Sequence, residues 1–222
     1  MPVANEKLID EANTIFNSIE QVFKDNPNIQ FRGAVAHADF STIIKDRQST
    51  EKYIEKSYLL FNQVEEHLQP YESLEIAESL KSLGLNQLAE SVLEEAVEQY
   101  FDDPVFIKQA ARLTNNKHLI KNASKANQLN NLAVEAFKEK DLEKAIDNFN
   151  KAAKIAPNNV NICLNLSQAL LKHYQSNDKN SDHLYRSEEI LTEITRLSVN
   201  DPRYTRYSEL TRLNQLMIQK LH

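Results

Sequence analysis

The sequence predicts an all-α protein assembled from antiparallel helix pairs, and three observations lead there. Leu129 and Cys163, Asn131 and Asn165, Leu132 and Leu166, and Ala133 and Ser167 each stand 34 residues apart. A fixed period of this size marks a helical repeat array, in which each unit buries its apolar face against the next. The 222 residues include only 2 glycines and 6 prolines; with glycine far below its roughly 7% average, a sheet protein with many tight turns is improbable. Elsewhere apolar residues recur at steps of three and four in a chain rich in Ala, Leu, Glu and Lys, all strong helix formers.

The elements follow in order. Residues 4–25 form an amphipathic helix, with Leu8, Ile9, Ala12, Ile15, Phe16, Ile19, Val22 and Phe23 on one face, and Asn26-Pro27 stops it. The segment IQFRGAVAHADF is the least repeat-like, with Gly33 as a bend, and His37-Ala38-Asp39 reads as a loop turning between two helices. A short helix at 40–46 and a strong one at 50–68 come next, the latter capped by Ser49 or Thr50. Residues 1–69 are therefore a helical N-terminal region, either degenerate repeats or a capping bundle.

From Pro70 onward the array is recognisable. A unit at 70–103 carries Leu83-Gly84 at its turn and Ala89, Leu93 and Ala96 in its second helix. The segment DPVFIKQAARL then interrupts the array before units at 126–159 and 160–199. In the last of these the polar stretch SNDKNSDH reads as a lengthened loop. Asp201-Pro202 introduces a capping helix at 203–220, whose stripe of Tyr204, Tyr207, Leu210, Leu213, Leu216 and Met217 covers the final apolar face.

The stretch 126–159 is similar to the tetratricopeptide repeat, two antiparallel helices in roughly 34 residues. Leu129 replaces that family's first-helix Trp, and Leu132-Ala133 stand where it has Leu-Gly. Ala145, Phe149 and Ala152 give the second-helix spacing, and Pro157 closes the unit. Small residues at 133, 145 and 152 let two helices approach closely, with Leu132, Ile146 and Phe149 filling the seam. Asp141 is placed to cap the second helix. Two departures are visible: Lys140 occupies the usual turn glycine, and the mid-helix Tyr is displaced to Phe137. The order of units over 70–215 further resembles the tetratricopeptide-like output regions of bacterial two-component response regulators, although nothing in the chain reads as a receiver domain.

Composition narrows the function. A net charge of −6, from 26 basic and 32 acidic residues, argues against general nucleic-acid binding, which needs a basic stripe to displace counterions. One cysteine, Cys163, cannot form an internal disulfide, which fits a reducing cytoplasm; its helical position makes it a small packing hydrophobe. No apolar run reaches the ~20 residues that span a bilayer, and the N-terminus lacks the pattern of a secretory signal. His37, His67, His118, His173, His183 and His222 show no metal-ligand spacing, and no phosphate loop or nucleophile elbow occurs. The expectation is a non-enzyme without metal or cofactor.

The resemblance implies a concave groove lined by the first helix of each unit. Its residues here are Asn127, Asn130, Asn131, Val134 and Lys138, then Asn161, Leu164, Asn165, Gln168 and Lys172. Side-chain amides suit the exposed backbone of an extended peptide, and the lysines suit a carboxylate or phosphate. A protein or peptide partner is expected. The alternative is a small-ligand sensor using Arg32–Phe40, or a subunit that forms a homodimer through the last-helix stripe.

Overall fold

The computed structural model describes residues 6–64, 68–178, 180–194 and 197–221. Among them are eleven α-helices and no strand: α1 (Glu6–Val22), α2 (Pro27–Ile43), α3 (Arg47–Phe61), α4 (Pro70–Ser82), α5 (Asn86–Gln99), α6 (Pro104–Leu113), α7 (Lys117–Lys138), α8 (Leu142–Ala153), α9 (Val160–His173), α10 (Ser181–Thr192) and α11 (Tyr204–Gln219). The chain divides into two compact units, residues 1–96 and 97–222.

One turn recurs three times. Lys45, Gly84 and Lys140 adopt left-handed backbone, with φ of 62°, 78° and 66°. In each case the next residue's N–H bonds back to a first-helix carbonyl: Asp46 to Ser41 O at 2.9 Å, Leu85 to Leu80 O at 2.8 Å, and Asp141 to Ala136 O at 3.0 Å. That closure satisfies carbonyls that a helix end otherwise leaves open and reverses the chain sharply. Ala38, Ala77 and Ala133 lie seven residues before these turns and are fully enclosed. Ser57, Ala96 and Ala152, twelve residues after, are also buried. The α2–α3 pair thus shares the register of α4–α5 and α7–α8.

This replaces the expected loop at Arg32–Phe40 with continuous helix. Asn26 Oδ1 accepts the Ile29 N–H at 3.1 Å and Pro27 takes the first helical position, so α2 starts early. Gly33 is no bend: it sits inside α2, beside Ile19 of α1. His37-Ala38-Asp39 is helical, and Phe31, Ala34, Val35 and Ala38 supply the buried face that holds it so. The cap of α3 is Asp46, whose Oδ1 accepts from Ser49 N–H at 3.2 Å, rather than Ser49 or Thr50. That helix ends at Phe61; residues 65–67 of the expected span lie outside the described residues.

In the second unit, α9 is the central element, packed by α7, α8, α10 and α11. Nine of its fourteen residues are buried. One side joins Ala133, Ala136, Ala145, Phe149, Leu166 and Leu170, and the other joins Val160, Leu164, Leu171, Leu184, Leu191 and Leu210. Asp141 Oδ1 caps α8 through the Lys144 N–H at 3.2 Å. Leu132 does not fill the seam. Each helical residue turns 100° from the last, so with Ala133 facing inward Leu132 swings outward and is 44% exposed.

The α9–α10 connection differs from a long loop as well. Tyr174–Asp178 continues α9 as a π-helical turn, and Asn180 Oδ1 caps α10 through the Asp182 N–H at 3.0 Å. Most of SNDKNSDH therefore extends the two helix ends, while residue 179 lies outside the described residues.

The end of α5 grips the α8–α9 corner. Asn159, 1% exposed, donates to Glu98 O at 2.6 Å and Gln99 O at 3.2 Å while its Oδ1 caps Ile162 N–H at 2.8 Å. Gln99 Oε1 accepts from Val160 N–H at 3.4 Å and from Arg203 Nη1 at 3.3 Å. Arg203 in turn is held by Asp201, at 2.7 Å from Nη2 to Oδ2.

Candidate interaction face on the first helices

The expected groove residues lie on α7 and α9, and the structure brings several of them together. Asn131 Nδ2 donates to Asn127 Oδ1 at 3.2 Å, and Asn127 Nδ2 donates to Phe101 O at 3.4 Å. Between helices, Asn165 Nδ2 donates to Asn130 Oδ1 at 3.0 Å. Bonding through both Oδ1 and Nδ2 fixes which way the Asn127 amide points.

A residue not anticipated from the sequence extends the chain of amides. Arg206 of α11 donates from Nη2 to Asn165 Oδ1 at 2.7 Å and to Gln168 Oε1 at 2.6 Å. Its guanidinium is partly enclosed, and burial alone draws its pKa below the ordinary arginine value. No spacing pointed to it, because the variable connection ahead of α11 breaks the 34-residue register.

The remaining residues sort by exposure. Asn131, Lys138, Gln168 and Lys172 are exposed, and Asn127, Asn130, Val134, Asn161 and Asn165 are half-buried. Leu164 is enclosed in the core between α9, α10 and α11, so it offers no surface to a docked chain. One turn of α9 carries Gln168 to Lys172, and Lys172 borders a cavity of about 430 Å³ together with Phe137, Lys140, His173 and the acids Asp141 and Glu143.

The first unit's polar segment is otherwise engaged. His37, 5% exposed, is stacked between Phe16 (centroids 4.2 Å) and Tyr53 (3.7 Å). Arg32 pairs with Glu72 at 2.9 Å, and Asp39 accepts from Ser82 Oγ at 3.1 Å. Burial first, then the nearby Glu20 carboxylate, pushes the Tyr53 hydroxyl up to about 12.

Cys163 Sγ donates to Pro157 O at 3.3 Å; burial, reinforced by Glu193 and Glu98, raises its thiol to about 11, far from a reactive thiolate. His173 and His183 meet edge to face at 4.8 Å, a pairing that their sequence spacing does not announce. His67 and His222 lie outside the described residues. Among the described residues no group of three or more His, Cys, Asp or Glu is placed to hold a metal ion, and no helix is long and apolar enough to cross a membrane.

The close-packed pair α7–α8, with its capped turn and alanine contacts, has a family counterpart. Residues 126–159 match the family model of the tetratricopeptide repeat. The matched span begins inside α7, which the chain extends toward Lys117, and covers α8 and the corner before α9. The fold is thus tetratricopeptide-like, with one repeat of that family detected. Neither the curated proteins nor the solved structures yield a match to the chain.

Proposed function

We propose that the chain is a non-catalytic protein-interaction module, whose face of α7 and α9 receives an extended segment of a partner protein. The observation that carries the reading is the bonded series Asn130–Asn165–Arg206–Gln168. A row of amides held in fixed orientation suits main-chain N–H and C=O groups, and ordering them in advance lowers the loss of side-chain freedom on binding.

The amides divide into two roles. Asn131 is exposed and keeps its Oδ1 for a ligand, so it is the contact residue. Asn165 is bonded at both ends and acts as a positioning residue for Asn130 and Arg206. Alanine at both Asn131 and Asn165 should lower capture of partner from a cell extract severalfold, with the far-ultraviolet helical signal unchanged. Capture at full strength would place the binding surface elsewhere.

A narrower form of the reading makes this module the output region of a bacterial, cytoplasmic two-component response regulator. What supports it is the order of pairs: α4–α5, the connector α6, the matched α7–α8, then α9–α10 and α11. Partner affinity should then change when a phosphorylated receiver domain is added, and indifference to phosphorylation would remove this form while leaving the interaction module intact. The homodimer alternative rests on Leu213 and Leu216 of α11, both exposed; light scattering at monomer mass would dismiss it.

A further inference from the structure

Helix α1 is covered along one edge only. Leu8, Ala12, Ile15, Ile19 and Val22 follow one another at alternating steps of four and three, the heptad spacing of a helix packed along a seam. α2 takes one edge of that apolar arc. Phe16 stacks on His37 with centroids 4.2 Å apart, and Ile9, Ala12, Phe16 and Ile19 are half-buried. The other edge is open: Leu8 is 61% exposed, Ile15 61% and Val22 71%, and α1 has no fully buried residue. A helix of 17 residues held along one side is marginal in water, so α1 stands to gain from a second packing surface.

The stripe is built to meet a copy of itself. Leu8 and Val22 each stand seven residues from Ile15, so a two-fold axis at Ile15 seats Leu8 of one copy on Val22 of the other. Charge agrees with that antiparallel sense. It brings Lys7 toward Asp25 of the second copy and Glu11 toward the neutral Ser18, so no like charges face each other beside the seam. Parallel copies would instead set two acidic first turns, each with Glu6, Asp10 and Glu11, side by side and align the helix dipoles. A lipid surface fits less well. Helices that lie on membranes carry a basic polar face, whereas α1 holds four acids and one lysine.

We propose that α1 pairs antiparallel with α1 of a second copy of this chain, through Leu8, Ile15 and Val22, to form a reversible dimer. The pairing is independent of the α7–α9 face and of the exposed leucines of α11. A single helix pair about 25 Å long buries less than the roughly 1,200 Å² of a standard interface, which is the range of weak, transient contacts. The dissociation constant should therefore be on the order of 100 μM.

Sedimentation velocity on the full chain, from about 5 to about 500 μM, tests this. The mean mass should rise toward twice that of the monomer, and α1 amides should exchange more slowly at the high end. Ile15→Glu, which sets two like charges together at the axis, should weaken association at least about tenfold. Its melting temperature at low concentration should match the parent's, because Ile15 is exposed. Leu213→Glu with Leu216→Glu should leave the dimer intact. A cysteine pair keeps the answer independent of whether Ile15→Glu folds. Under oxidised glutathione Ile15→Cys should cross-link two copies, while Leu8→Cys should not, since the two Leu8 positions then lie about 20 Å apart. The parent chain, whose Cys163 is buried, is the blank. Monomer at every concentration overturns the proposal, as does a dimer that survives Ile15→Glu or is lost with the α11 leucines. Equal cross-linking of the two cysteine variants overturns it too. Monomers that float with phosphatidylcholine vesicles would give the stripe to a membrane instead.

Discussion

Ser167 and Ser187 face each other across α9 and α10 with their Oγ atoms 2.6 Å apart, and both are fully enclosed. They stand where the α7–α8 pair has Ala133 and Ala145. A hydroxyl pair thus stands in place of a methyl contact. Removing one partner leaves the other hydroxyl enclosed and short of its bond, which costs about 1–2 kcal/mol, whereas removing both restores the alanine arrangement. Ser167→Ala alone should therefore lower unfolding free energy, and Ser167→Ala with Ser187→Ala should recover most of it. A double-mutant cycle in urea checks this, and strict additivity would refute the coupling.

Asn159 is asked to do three things at once: cap α9 and donate to the carbonyls of Glu98 and Gln99. A lost cap is worth about 1 kcal/mol and each stranded buried group about 1–3 kcal/mol. Asn159→Ala should destabilise by about 2–4 kcal/mol, read as a fall in the urea midpoint. Asn161→Ala, on the half-buried face, should change it by less than about 0.5 kcal/mol.

The left-handed turns at Gly84 and Lys140 predict opposite effects from glycine exchange. Gly84 has φ 78° and open space where a Cβ would stand, so Gly84→Ala should cost about 1 kcal/mol through backbone conformation alone. Lys140 has φ 66°, and Lys140→Gly should stabilise by about 0.5–1 kcal/mol. Thermal melts of the two variants should move in opposite directions.

His37 makes the first unit sensitive to acid. Burial first lowers its pKa, with Lys52 and Lys56 acting in the same direction and Glu20 and Asp46 against it. A folded-state pKa below the unfolded value of about 6.5 means the unfolded chain takes the proton first. The stacked imidazole then contributes fully above pH ~6.5, and its contribution declines as pH falls from there toward the folded pKa. α1 has no fully buried residue and leans on this contact through Phe16, so its amide exchange should quicken first. His37→Phe should flatten that response; an unchanged pH profile would show that the imidazole is not its source.

What the sequence disclosed depended on where its signals were undiluted. Between 126 and 159, Ala133, Ala145, Phe149 and Ala152 stand at the close contacts, Asp141 caps as its turn position suggests, and the helix pair is legible. α2 was hidden because its buried face includes His37 and Gln30, polar residues that break the apolar pattern, and because Gly33 imitates a bend. The turn at Lys45 carries no glycine, so its kinship with Gly84 shows only in φ and in the returning N–H bond. Leu132 misled by being apolar on an outward-facing step. On the candidate face, amide types were readable but their partners were not, since Arg206 arrives from beyond a connection of irregular length.

The meeting of Gln99 with Arg203, 104 residues apart, bears on how such a chain can grow. Repeat arrays usually lengthen by duplicating a unit, each new copy stacking on the last. Here Gln99 holds both the α8–α9 corner, through Val160 N–H, and Arg203, so an added copy between them would pull Gln99 and Arg203 out of reach of each other. Lengthening by duplication is therefore open only outside the clasp, and the stretch it encloses is fixed in copy number.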